Sequence, residues 1–333
     1  MPSPWTLPKV SGLTCPGAVR TMRPMLRYFL YRVLWLIPTL LGMSLVLFLL
    51  MHLTPGSPLQ PLGAANALPP DAQRNLAHAF GLDQPLWRQY LTFLWKAIHL
   101  DFGVSYVQNT RTVLEVIETG LPVSMELGGL ALALAVAGGL SLGIVAAVNQ
   151  NGPFDYLATF TAMLGVALPN FLLAFFLILA FVLGMHWLPH VRGLAEPRDY
   201  ILPVIALALG PLAIIARYTR SSMVDVIRAD YVRTARAKGL GERRVVLVHV
   251  LKNGLLPPIT VIGPLLAAVL TGSPFVEFLF GVPGVGRYFL TSIQNRDYPM
   301  IMAVFLLYGL FLVVMNLLVD LAYGVVDPRI RFS

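Results

Sequence analysis

Two groups of residues in this sequence have the types and spacing to do chemistry. The first are polar side chains standing in or beside long apolar runs: Glu126, Glu277, Asn316 and Asp320. A polar group in apolar surroundings is costly and becomes a functional candidate by default, either lining a solute path or bonding a neighbouring helix. Glu277 sits between Gly272-Ser273-Pro274 and the glycine-rich segment Gly281–Gly286, which includes Gly284. Backbone broken by Pro274 and Gly284 at this depth is tolerated where it lines a cavity, so these residues join the candidates for a path or gate.

The second group is a basic stretch, Asp230-Tyr231-Val232-Arg233-Thr234-Ala235-Arg236-Ala237-Lys238-Gly239. Asp230 is expected to cap a helix start by accepting a backbone N–H bond. Gly239 suits the left-handed residue that stops one. The helix between them has about two turns and is too short to persist alone in water, so it needs a packing partner. Val232, Ala235 and Gly239 form a stripe of modest side chains that suits close approach to a second surface, with Arg233, Arg236 and Lys238 projecting around it. Gly241-Glu242 then opens a second helix through Val245, Val246, Val248 and Leu251. A short capped helix of this kind is a mechanical contact. The alternative is a loop that is basic merely because of the side of a membrane it occupies.

Other chemistry is missing from the sequence. No Gly-Lys-Ser/Thr phosphate loop occurs, the histidines form no His-Glu-x-x-His pattern, and no Cys/His cluster has zinc-ligand spacing. The single cysteine, Cys15, excludes an internal disulfide. No catalytic or metal site is expected.

The elements that position these residues follow from composition. Hydrophobic residues make up 57% and charged residues 12%, where a soluble domain carries roughly 25% charged residues. So few charges cannot cover a water-facing surface, and the solvent must in part be lipid. Six apolar runs are long enough to cross a bilayer, at about 28–53, 121–148, 156–184, 200–219, 255–280 and 300–324. The fold class is therefore an all-α integral membrane protein with six transmembrane helices. Residues 1–24 read as a disordered leader, with Met22 and Met25 as possible later starts, and 25–333 as one membrane domain.

The net charge of +8 is distributed as membrane topology, with bases flanking the runs. Arg220, Arg228, Arg233, Arg236, Lys238, Arg243, Arg244 and Lys252 crowd the loop 220–253, whereas acids offset the bases of the loop 54–120. The positive-inside rule places both termini and the 220–253 loop in the cytoplasm and the 54–120 loop outside. In that outer loop, Leu86, Trp87, Tyr90, Leu91, Leu94, Trp95 and Ile98 recur at helical spacing. This pattern predicts an amphipathic helix on the outer surface, either capping the bundle or receiving cargo.

The Asp230–Gly239 segment resembles the cytoplasmic coupling motif of ABC importer permeases, in the version carried by the dipeptide/oligopeptide (peptide/nickel) permease family. It departs from the general motif: Arg233 and Thr234 occupy the Glu and first Ala places, Ala235 keeps the second, and His249-x-Leu251-Lys252 replaces a Pro-terminated end. Those departures match the peptide subfamily. The resemblance runs over about 25–331, through Leu26-Arg27-Tyr28, His52-Leu-Thr-Pro-Gly56, Gly81-Leu-Asp-Gln-Pro85, Asp101-Phe-Gly103, Leu168-Pro169-Asn170-Phe171, Val282-Pro-Gly-Val-Gly286, Gln294-Asn-Arg-Asp-Tyr-Pro299, Asn316-x-x-Val-Asp320 and Asp327-Pro-Arg-Ile-Arg331.

The resemblance implies a type I importer-like permease fold in the cytoplasmic (inner) membrane, with Asp230–Gly239 as the coupling helix. It implies a second permease subunit sharing the path, two ABC ATPase subunits that bind ATP and Mg, and an extracytoplasmic substrate-binding protein. No cofactor is expected in this chain. The implied cargo is a dipeptide or oligopeptide, with nickel complexes, glutathione or another small solute as alternatives. A self-sufficient secondary transporter is the rival reading; it predicts inverted repeats, of which the sequence has no convincing trace, and gives no reason for the coupling-type loop.

Overall fold

The computed structural model describes residues 22–55, 69–107, 111–189, 193–270 and 273–326. Most of the leader, Gly56, Gly272 and the 327–331 tail lie outside the described residues, as does the side chain of Asp320. Among the described residues the chain is helical, with one isolated bridge between Val104 and Thr112 and no strand.

The helices are α1 (Met22–Leu53), α2 (Pro70–Ala79), α3 (Leu86–Ile98), α4 (Val113–Val148) and α5 (Pro153–Ala167). Next come α6 (Asn170–Leu177, carried on as a π-helix to Gly184), α7 (Ile201–Ile227) and α8 (Asp230–Ala237). Then follow α9 (Glu242–Gly254, largely π-helical), α10 (Leu256–Leu270), α11 (Pro274–Leu279), α12 (Val285–Asn295) and α13 (Tyr298–Val326).

Four helical segments are long and apolar enough to cross a membrane: Leu34–Leu53, Val113–Val148, Pro197–Ile227 and Tyr298–Leu318. Two bent pairs, α5 with α6 and α9 with α10, bring the number to six when each is taken as one span. The chain is a multi-pass membrane protein.

Three expectations about the spans change. The third run is continuous in hydropathy but bent by 108° between α5 and α6. Leu168 precedes Pro169, is excluded from the α region by the proline ring, and takes an extended φ of −93° and ψ of 125°. The fifth run stops at Leu270, because Ser273 is extended and Pro274 starts the separate helix α11. The second starts at Val113 rather than 121: Thr112 accepts from the Glu115 N–H and Glu115 accepts from the Thr112 N–H, each at 3.2 Å, a capping box that nucleates α4 ahead of the apolar run.

Helix α7 is the hub, packed against α4, α5, α6 and α10. The α4–α7 contact depends on absent side chains. A Cβ on Gly143 would stand 2.5 Å from Thr219 Cβ and 2.7 Å from the Ala216 carbonyl oxygen. One on Gly139 would meet Ile215 Cβ at 2.8 Å. Gly165 of α5 is held as closely by Ala213 and the Leu209 carbonyl. Small residues at a crossing let backbones approach where lipid provides no hydrophobic drive between helices. Gly139 and Gly143 also complete a Gly-x-Ser-x-Gly spacing around Ser141, but inside an uninterrupted helix. The strand-to-helix turn that exposes a nucleophilic serine in hydrolases is absent there.

Helix α3 is fastened to the bundle by one side: its Tyr90 hydroxyl bonds Ser44 Oγ at 2.9 Å and the Leu41 carbonyl at 3.2 Å, and Tyr90 and Phe93 pack against the cluster of Phe48, Met51, Ile301 and Met302. Its opposite side exposes Trp87, Leu91, Trp95 and Ile98.

Candidate functional site

Most of the described candidate residues fall into two places. Helix α8 occupies the end of the molecule carrying the basic loop; Pro274, Glu277 and Gly284 meet Ser124 of α4 toward the other end, and Glu126 and Asn316 stand apart from both groups.

At α8 the start is not made by Asp230. Ala229 is the N-cap, in extended conformation, and Asp230 is the first helical residue, with no side-chain capping bond. Its carboxylate is 99% exposed and 3.7 Å from Arg233 Nη1. It still sits favourably in the first turn, where the helix dipole is positive. The expected stop is found. Gly239 has φ +79°, its N–H donates to the Arg236 carbonyl at 2.9 Å, and the Leu240 N–H donates to the Ala235 carbonyl at 3.4 Å, a Schellman arrangement.

The small-residue stripe also turns out differently. Val232 and Ala235 are buried in this chain's own cluster with Ala147, Met223, Val224, Val245 and Val250, so they seat α8 rather than meet a second surface. Three polar contacts brace the seat. Arg236 bonds both Glu242 oxygens at 3.1 and 2.6 Å, Asn253 Nδ2 donates to the Tyr231 hydroxyl at 2.9 Å, and Arg228 Nη2 donates to Gln150 Oε1 at 3.3 Å. Glu242 holds the Arg236 guanidinium above its ordinary pKa through these bonds. What α8 presents outward is Tyr231, Arg233, Thr234, Ala237 and Lys238, with the tip at Gly239.

At the other end, Glu277 does not line an opening. It is 0% exposed and works as a helix cap. One carboxylate oxygen accepts from the Gly286 N–H at 2.8 Å and the Arg287 N–H at 3.3 Å, at the start of α12. Ser124 of α4 accepts from the Val285 N–H at 3.0 Å and bonds the same carboxylate. Gly284 is obligatory: a Cβ there would lie 2.3 Å from Glu277 Oε2 and 2.4 Å from Ser124 Oγ. The expectation that the Pro274–Gly284 break exposes Glu277 to a cavity is therefore corrected. The break folds the carboxylate inward to satisfy N–H groups that the start of a helix leaves open. The other oxygen, Oε1, has no hydrogen-bond partner, and neither has the buried Tyr308 hydroxyl.

Glu126 is different. It is exposed on α4, and the Tyr200 hydroxyl at the start of α7 donates to it at 3.1 Å. Asn316 is half-buried in α13.

Two polar linkages escaped the sequence reading. Asp297, buried at the start of α13, accepts from the Ser105 hydroxyl and the Tyr106 N–H, fastening the outer loop to the bundle. Burial and Asp297 raise the Tyr106 phenol well above its ordinary pKa. Asp155 of α5 pairs with Arg220 of α7 near the basic end. Arg220 had counted only as a topology charge; its partner lies 65 residues away, beyond the reach of local pattern. A cavity of about 500 Å³ opens between α1, α3 and α13, lined by Phe48, His52, Gln89, Phe93, Tyr106 and Tyr298.

Residues 139–332 match the family described as binding-protein-dependent transport system inner membrane component, and residues 25–128 match the N-terminal region of such components. This chain belongs to that family. It is 45% identical to the dipeptide transport system permease protein DppB of Bacillus subtilis over 307 residues, 92% of this chain and 98% of that one. It is 39% identical to the oligopeptide transport system permease protein OppB of Escherichia coli K12 over 309 residues, 92% of this chain and all of that one. Two solved structures share the fold. One is the MetNI methionine ABC transporter in an inward-facing conformation, with TM-score 0.53 and 15% identity, covering 64% of this chain and 97% of that one. The other is an amino acid ABC transporter with histidines, with TM-score 0.50 and 17% identity, covering 63% and 93%. The architecture is thus that of the importer permeases, with six spans when each bent pair is taken as one.

Proposed function

We propose that this chain is the membrane-spanning, non-catalytic subunit of an ATP-driven importer that carries dipeptides or oligopeptides into the cell. The near full-length similarity to dipeptide and oligopeptide permeases carries the cargo class. Helix α8 carries the mechanism. It is fixed to the bundle by a buried apolar side and by braced polar contacts, and it turns Tyr231, Arg233, Thr234, Ala237 and Lys238 outward on the side where the basic loop lies. A rigid, cationic, two-turn projection is what a soluble ATPase needs in order to grip the permease.

Both termini and α8 face the cytoplasm, by the excess of bases there. A second permease subunit completes the path, two ATPase subunits hold ATP and Mg, and a substrate-binding protein delivers cargo at the outer face. Glu126, aligned by Tyr200, stands at the outer end of the path, and Asn316 belongs to its wall. Glu277, Pro274 and Gly284 form the frame that holds α12. The path switches access when contacts with the ATPases favour one of two arrangements of the bundle.

Affinity purification of the tagged chain from its native membrane, followed by reconstitution, tests this. Two ATPase subunits are recovered with it, and peptide uptake into proteoliposomes requires ATP. Recovery of the chain alone, active without ATP, would refute the reading.

A further inference from the structure

Asp155 stands in the first turn of α5, 4% exposed, at the end of the broken third span nearest α8. Arg220 of α7 takes both its oxygens: Nε bonds Oδ1, and Nη2 lies 2.7 Å from Oδ2. The Asn151 N–H donates to Oδ2 at 2.9 Å, from a turn in which Asn151 itself is left-handed at φ +62°. An ion pair withdrawn from water contributes little net stability, because desolvation offsets most of the attraction. What a guanidinium fork on a carboxylate does provide is a fixed distance and a fixed angle.

The pair sits between two moving parts. Arg220 is seven residues from the end of α7, about 10 Å along the axis, and α8 begins three residues later. Val232 and Ala235 of α8 share a buried cluster with Val245 and Val250 of α9, Met223 and Val224 of α7 and Ala147 of α4, and the Val245–Val250 segment packs in turn against α7. Arg228 ties the junction of α7 and α8 to Gln150 in the α4–α5 turn. A displacement of α8 therefore arrives at the last two turns of α7 and at residues 149–152. Asp155 is where α5 is fastened to that block. On its other side α5 exposes Tyr156, Phe160 and Met163, and its far end is the proline break into α6. The bent α5–α6 pair is thus fastened by charge at one end and broken by Pro169 between its two helices.

We infer that Asp155 and Arg220 form a positioning pair that carries the displacement of the docking helix α8 into the bent α5–α6 span, so that ATP hydrolysis changes access to the path. This rests on the reading of α8 as the ATPase contact.

The test uses the complete importer in proteoliposomes, with ATP hydrolysis and peptide uptake measured together. Asp155→Asn and Arg220→Gln leave hydrolysis within about twofold of the unaltered complex and raise the ATP hydrolysed per peptide by about tenfold, a factor within the range of allosteric coupling. The double variant Asp155→Leu/Arg220→Met has no uncompensated charge; it assembles with the ATPases and remains uncoupled. A double variant that transports with the unaltered ratio of ATP to peptide overturns the inference, since the pair would then be replaceable packing. So does a parallel fall of hydrolysis and uptake in the single variants with their ratio unchanged. Failure of the underlying reading looks different: the ATPases are then not recovered even with the unaltered chain.

Discussion

Replacing Glu277 separates a structural carboxylate from one that contacts cargo. In Glu277→Ala the N–H groups of Gly286 and Arg287 lose their acceptor in a site closed to solvent. An orphaned buried donor costs about 1–3 kcal/mol, so the two together cost roughly 2–6 kcal/mol before the cavity is considered. Against a total of about 5–15 kcal/mol for a folded domain, that loss is large. Glu277→Gln behaves differently. Its amide oxygen takes over the two N–H bonds, and its NH2 occupies the place of Oε1, which has no partner to lose. The NH2 is then a buried donor without an acceptor, so the expected effect is about 1–3 kcal/mol, smaller than in the Ala variant because the Gly286 and Arg287 bonds survive. Thermal unfolding of the purified complex, followed by size-exclusion chromatography, reads the stability, and peptide uptake reads the function. The reasoning predicts a strongly destabilised Ala variant, and a Gln variant that loses less stability and, where folded, transports peptide like the unaltered protein. A stable Gln variant that does not transport would refute it, because only the charge would then have been removed.

Three further outcomes follow from the geometry. Gly143→Ala forces a Cβ against Thr219 and costs about 1–3 kcal/mol by overpacking, whereas Gly129→Ala, with open space around it, leaves unfolding temperature unchanged or raised. Gly239→Val places a branched residue at φ +79°, a strain of at least about 1–2 kcal/mol, and raises ATP hydrolysed per peptide, while Gly239→Asn is milder. Arg233→Glu with Lys238→Glu reverses the outward charge of α8 and lowers co-purification of the ATPase subunits without changing membrane insertion, as a pull-down at several salt concentrations would reveal.

The apolar runs were legible in the sequence because a bilayer demands about 20 apolar residues regardless of tertiary context. The left-handed stop at Gly239 was legible because glycine alone tolerates it freely. The break at Leu168-Pro169 was visible as a proline but not as a 108° bend, since hydropathy continues unchanged across it. The sequence placed Val232 and Ala235 on one face of a helix correctly and then assigned that face to the wrong neighbour. Periodicity identifies an apolar side, but only packing identifies what covers it. Glu277 was misread for a related reason. Its position beside a broken backbone suggested a cavity, whereas the N–H groups it satisfies, at Gly286 and Arg287, are left without an intrahelical acceptor only once α12 exists. Asp155 and Arg220 meet across 65 residues, and no local pattern announces such a pair.

The seating of α8 on its own chain has a consequence for how a complex of this kind comes together. A helix of eight residues left free would fold only on contact, and each binding event would then include the entropy of ordering it. Here Val232 and Ala235 are already buried and the Gly239 turn is already closed. A soluble subunit that docks on α8 as proposed meets a finished surface, so its affinity is not reduced by a folding step. If α8 is the contact proposed above, the same seating passes a pull on it to the Val245–Val250 segment and the rest of its buried cluster.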